Sequence, residues 1–183
     1  MLIHLELPHR YEVESLAETS ILAGSEVFQY RAAHPGHDDR PNLLLRFRPE
    51  GSQPWIGSFS SGSVDPNAPS MVISSPNPLT AFVIAAGDAY SVQVDSPGSF
   101  QMLPVSPVLF AEALPQQTVV VLGSANALAV YDPKGLCWFR RVVNDELKLE
   151  SIARGTIHFS GLDAANGKSV SGSADLDTGK EVA

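Results

Sequence analysis

Apolar residues along this chain recur mainly in short runs, several of which alternate with polar residues. Leu45 and Phe47 would lie on one face of a β-strand, and Arg46 and Arg48 on the other. Further apolar and β-branched runs follow at a spacing of roughly ten residues, with Gly, Pro, Asn and Asp between them, as far as Val170. This pattern predicts an all-β fold, built as an antiparallel meander.

A single segment has helical rather than two-residue spacing. In residues 11–22, Val13, Leu16 and Ala17 could share one face of a helix. We therefore predict at most one short helix, near the start of an otherwise all-β chain.

Two central segments of the chain resemble each other. Pro78 corresponds to Pro115 and Asp95 to Asp132 at a constant shift of about 37 positions, a period typical of stacked β-units. We expect blade-like repeats at about 71–107 and 108–143, with looser units before and after them, in a single all-β domain over residues 1–183. A single small sheet cannot bury both faces, so the units should pack as a sandwich or as an incomplete or small β-propeller-like arrangement.

The C-terminal half carries a recognisable order of motifs. These are Val119–Leu122, Ala127–Trp138, Gly155–Asp163 and Asp175–Gly179. The order resembles a group of small uncharacterised bacterial proteins with propeller-blade-like β repeats, over about residues 54–180. The resemblance implies a fold and no established activity, so it implies no functional residues. The chain departs from the pattern at Phe159, where the group has glycine.

Charge narrows the classes of function. The chain has 183 residues, a hydrophobic fraction of 44% and a net charge of −8, and it has no Lys or Arg between Arg48 and Lys134. Binding to nucleic acid or to an anionic membrane requires clustered cations, so we expect neither.

The N-terminus lacks the basic start and continuous apolar core of a secretory signal, and we expect a cytoplasmic protein. The single cysteine, Cys137, can form no internal disulfide, and its apolar neighbours predict a buried position.

One local cluster combines side chains that bind metals: His34, His37, Asp38 and Asp39. Imidazole and carboxylate suit zinc or another divalent cation. The spacing is interrupted by Pro35 and Gly36, so further ligands would be needed, for which His4, His9 and His158 are available. The simpler interpretation is a solvated polar loop.

Three hypotheses about function follow. The first is an interaction or scaffold module, without catalytic residues or a cofactor, that binds another protein or itself through an uncharged face, as suggested by the stretch 49–133, which has no basic residue and little charge. The second is a metal-assisted hydrolase that uses His34, His37, Asp38 and Asp39. The third is a small-ligand binder with a pocket near Trp55 and Trp138.

Overall fold

The computed structural model describes residues 1–17, 26–31, 42–61, 68–163 and 165–182. In these ranges the regular structure consists of β-strands without a helix, which confirms the all-β prediction. No helix among the described residues is long and apolar enough to cross a membrane.

The strands form separate, mostly antiparallel sheets that follow one another along the chain. The first sheet contains, in spatial order, β2 (Tyr11–Ser15), β4 (Leu43–Pro49), β5 (Trp55–Phe59) and β3 (Val27–Tyr30). The second contains β1 (Leu2–His4), β6 (Met71–Ser74), β7 (Thr80–Ala85), β8 (Asp88–Gln93) and β9 (Phe100–Met102). The third contains β10 (Phe110–Leu114), β11 (Val119–Gly123), β12 (Ala127–Asp132) and β13 (Gly135–Arg141), and the fourth β14 (Asp145–Ala153), β15 (Thr156–Asp163) and β16 (Lys168–Asp175).

The sheets stack face to face in chain order, because alternate residues of the inner strands belong to different cores. In β8, Ala89 packs in the core shared by the second and third sheets, whereas Tyr90 and Val92 pack in the core shared with the first sheet. In β12, Tyr131 faces the second sheet and Val130 faces the fourth. Successive residues of an inner strand therefore pack against the sheets on its two sides. The predicted sandwich arrangement of sheets is observed.

The first sheet shows the predicted separation of a dry face from a wet one. Leu45 and Phe47 are fully buried against the second sheet. On the opposite face Glu14 accepts hydrogen bonds from Arg46 at 2.6 Å and from Arg48 at 2.8 Å. These ion pairs lower the pKa of Glu14, chiefly through the hydrogen bond from Arg46.

The predicted helix near the N-terminus is wrong in the part that is described. Residues 11–15 form β2, in which Tyr11 pairs with Pro49 and Val13 with Phe47. Tyr11 is buried beside the ring of Phe47. Packing in a strand therefore outweighs the helical spacing, and residues 18–22 lie outside the described ranges.

The similar segments of the sequence occupy equivalent places in the second and third sheets. Val83 in β7 and Val120 in β11 each lie in the second strand of the matched unit and face the preceding sheet. The lack of basic residues in this region also has a structural explanation, since β5 to β8 are almost entirely buried. Charge is depleted there because the faces of these strands are interior.

Phe159, where the resemblance noted above led us to expect glycine, lies in the middle of β15 rather than in a turn. It pairs directly with Gly172 of β16. A Cβ atom at Gly172 would lie 2.7 Å from the Phe159 ring, so the ring occupies the space above the glycine. The Phe159 ring covers the backbone of Gly172 in the neighbouring strand. This packing compensates for the absence of glycine at position 159.

Candidate functional site

The predicted metal cluster cannot be placed. His34, His37, Asp38 and Asp39 all lie outside the described ranges. Among the described residues, no group of three or more His, Cys, Asp or Glu is arranged to hold a metal ion.

The remaining candidate histidines are engaged separately. His4 lies 3.7 Å from Glu6, and His9 is 2.9 Å from the carbonyl of Leu7. His158 is exposed on the outer face of the fourth sheet, 2.9 Å from the Ser173 hydroxyl. The structure does not bring these three histidines together into one site.

The structure does not bring Trp55 and Trp138 together either. Trp55 is buried between the first and second sheets and donates its indole N–H to the carbonyl of Val94 at 2.9 Å. Trp138 packs between the third and fourth sheets and donates to the carbonyl of Leu176 at 2.8 Å. Each ring contributes to a different core, so the two do not line a shared pocket.

Cys137 corrects the expectation of a buried thiol, because it is exposed on the edge strand β13. The pairing of β12 with β13 changes register here: Val130 opposes Trp138, but Tyr131 opposes Leu136. Cys137 is therefore the additional residue of a β-bulge. A bulge residue does not follow the alternation that would bury an apolar side chain.

The Cys137 thiol is accessible, but its surroundings disfavour the reactive thiolate form. Partial burial raises its pKa, and the negative charge of Asp132 raises it further. We expect a thiol reagent such as DTNB to modify one cysteine in the native protein. Asp132→Asn should make the reaction severalfold faster at a fixed pH below the pKa, because the thiolate is the reacting form. Asp95→Asn, in the equivalent turn of the second sheet, is the control and should leave the rate unchanged. Reaction only after denaturation would contradict the exposed position.

The same bulge creates an apolar surface. Leu136 opposes Tyr131, and Phe139 opposes Ala129. Residues directly opposite in an antiparallel pair share a face, so Leu136 and Phe139 both lie on the side of the third sheet that faces the second. They are 48% and 47% exposed. We call these two residues the β13 patch.

Positive charges border the β13 patch. Arg141 follows Phe139 by two residues, so it extends from the same face, and it is exposed. Lys134, in the turn before β13, is exposed as well. Arg140 points the other way and donates to the carbonyl of Gly179 at 2.6 Å. The patch is thus an apolar pair with a cation at each end.

Sequence reasoning missed this surface, because the local pattern does not show that β13 is an edge strand. Residues 136–139 are four consecutive apolar residues. Consecutive residues of a strand cannot all face one core, and only Trp138 of the four packs into one. The run Val119–Leu122 is equally apolar and is fully buried between two cores, so the run at 136–139 did not by itself predict exposed apolar side chains.

Comparison with known proteins adds little. No protein-family model matches the chain, and no curated protein matches it. Among solved structures, the chain is similar to the extracellular domain of the putative one component system BT4673 from B. thetaiotaomicron, with 13% identity and a TM-score of 0.41. The match covers 78% of this chain and 19% of that one, so this chain spans about a fifth of its length. At that TM-score the likeness carries no argument about fold or function.

Proposed function

We propose that this protein is an interaction module that binds another protein through the β13 patch. The observation that carries the proposal is the pair of large apolar side chains, Leu136 and Phe139, each nearly half exposed on one face of an edge strand. Aromatic and aliphatic side chains of this kind form the centres of protein interfaces, with polar residues around them.

The charges favour a partner that is not a second copy of this chain. Lys134 and Arg141 border the patch, so two identical patches would bring like charges together. A partner with an apolar centre and an acidic rim satisfies both features. Strand addition to β13 is disfavoured, because a bulge and exposed arginines are features that protect an edge strand from pairing. Binding should therefore use the face of β13 and not its edge.

Quantitative affinity capture tests the proposal. The immobilised protein is compared with the double variant Leu136→Lys/Phe139→Lys, and proteins retained from an extract of the source organism are measured by mass spectrometry. We expect at least one acidic protein to be depleted by about tenfold or more in the variant, since replacing a buried apolar contact by a charge costs more than about 1.4 kcal/mol.

Val170→Lys is the matched control, because Val170 is also an exposed apolar residue but belongs to the fourth sheet. It should retain the same proteins as the unaltered chain. Identical retention by the chain and the double variant would refute the proposal.

A further inference from the structure

We propose that the wedge between the second and third sheets, which adjoins the β13 patch and shares Lys134 with it, binds a small uncharged molecule rich in hydroxyl groups, such as a single sugar ring. The wedge is a cavity of about 260 Å³. Its walls come from β7, β8 and β9 on one side and from the end of β12 and the following turn on the other. The volume lies just below the range of about 300–1,000 Å³ typical of drug-sized ligands, so it suits one small ring.

Tyr131 provides the observation that points to a ligand. It lines the wedge, it is only 3% exposed, and its hydroxyl is buried without a hydrogen-bond partner among the described residues. Its ring packs edge-on against Phe82 at a centroid distance of 4.9 Å. A buried hydroxyl without a partner costs roughly 1–3 kcal/mol. The hydroxyl has less than 1 Å² of accessible surface, so a ligand recovers this free energy when the lining side chains shift enough to expose it.

Tyr131 remains protonated across the physiological range, because burial raises the pKa of its phenol. The hydroxyl can therefore both donate and accept one hydrogen bond with a ligand. This dual capacity matches the hydroxyl groups of a sugar or polyol.

The second sheet contributes polar side chains where an interior face would normally be apolar. Ala89, Ser91 and Gln93 alternate along β8 on the face directed at the third sheet, and of these only Ala89 packs in the core. Ser91 opposes Gln101 of β9, which extends the polar row across the sheet. Thr80 donates a hydrogen bond to the side-chain oxygen of Gln93 at 3.1 Å, which orients the Gln93 carboxamide.

The lining decides the class of ligand. Most of its polar groups are the neutral side chains of Ser, Thr, Asn and Gln, and Asp132 and Lys134 are the only charged residues in the described part of its lining. Phosphate or nucleotide binding would require several converging cations, of which the wedge has one. Phe100 borders the wedge, but it opposes Val92 and packs edge-on against Tyr30, so its ring is directed at the first sheet and is not available to the ligand.

Saturation-transfer NMR with defined probes tests this inference. The neutral probes are glucose, galactose, N-acetylglucosamine and myo-inositol at millimolar concentration, and the charged counterparts are glucose 6-phosphate and glucuronate. We expect at least one neutral probe to bind more tightly than either charged probe. Tyr131→Phe should weaken that binding about tenfold, which corresponds to the loss of about 1.4 kcal/mol. No signal from any neutral probe, or equal binding by Tyr131→Phe, would overturn the inference.

A stability measurement supplies an independent readout. Because the Tyr131 hydroxyl has no hydrogen-bond partner among the described residues, Tyr131→Phe should leave the free energy of unfolding unchanged or slightly increased. Tyr90→Phe is the control, since the Tyr90 hydroxyl is hydrogen-bonded to Ser60 on the other face of β8. That variant should be less stable and should bind the probe normally. A clear loss of stability in Tyr131→Phe would show that the hydroxyl is already satisfied, and would also overturn the inference.

Discussion

Leu122→Ala is expected to lower the free energy of unfolding by roughly 3–5 kcal/mol. Leu122 is fully buried in the core between the second and third sheets, which it shares with Phe82 and Ile84. Its neighbours belong to strands that are hydrogen-bonded on both sides, so they cannot move inward to fill the space left by the lost side chain. The loss of stability therefore includes the transfer free energy of the removed methyl groups and the free energy of the cavity left behind.

Urea unfolding followed by tryptophan fluorescence measures this change. Leu136→Ala removes the same atoms from an exposed position, and we expect it to alter stability by less than about 0.5 kcal/mol. Equal losses in the two variants would show that the sheets do not stack as described, since only the stacking distinguishes their environments.

Gly57→Ala is expected to have the second largest effect, a loss of about 2–3 kcal/mol. Gly57 is in β5, and a Cβ atom there would lie 2.5 Å from the Phe59 ring and 3.2 Å from the Trp55 ring. Phe59 has no room to move, because it is fully buried and stacks on Tyr30 at a centroid distance of 4.4 Å. The added methyl group must therefore displace a packed aromatic cluster.

The control for this variant is Gly98→Ala. No atom lies within 4 Å of a Cβ built at Gly98, so thermal and urea unfolding should be nearly unchanged there. If Gly57→Ala were as stable as the unaltered chain, the aromatic packing of the first core would be wrong.

Local patterns were sufficient to predict the strands and the stacking of blade-like sheets. Val83 and Val120 correspond in the sequence and occupy equivalent positions in adjacent sheets. The reason is that alternation within a strand and turn residues between strands are both local signals. The N-terminal segment was misread because Val13, Leu16 and Ala17 fit helical spacing, whereas β2 is defined by its pairing with β4, residues 43–49.

The candidate sites could not be predicted in the same way. Exposure of Cys137 and of the β13 patch depends on a bulge, which requires the register of β12 against β13. Ser91 and Gln93 alternate with Tyr90 and Val92, a pattern that predicts a solvent-facing side. In the structure that side faces another sheet across a wedge, so the polar row becomes a lining. Whether this polar row faces solvent or lines a cavity depends on the position of the third sheet relative to the second.

The most direct test of the proposed function is photo-crosslinking with benzoylphenylalanine placed at position 136, in cells of the source organism. We predict a crosslink from this position to one acidic protein, which is lost when Phe139→Lys is added to the same chain. The same probe at position 170, an exposed apolar site on the fourth sheet, should give no such product. A crosslink of equal yield from position 170, or one that persists with Phe139→Lys, would contradict binding through the β13 patch.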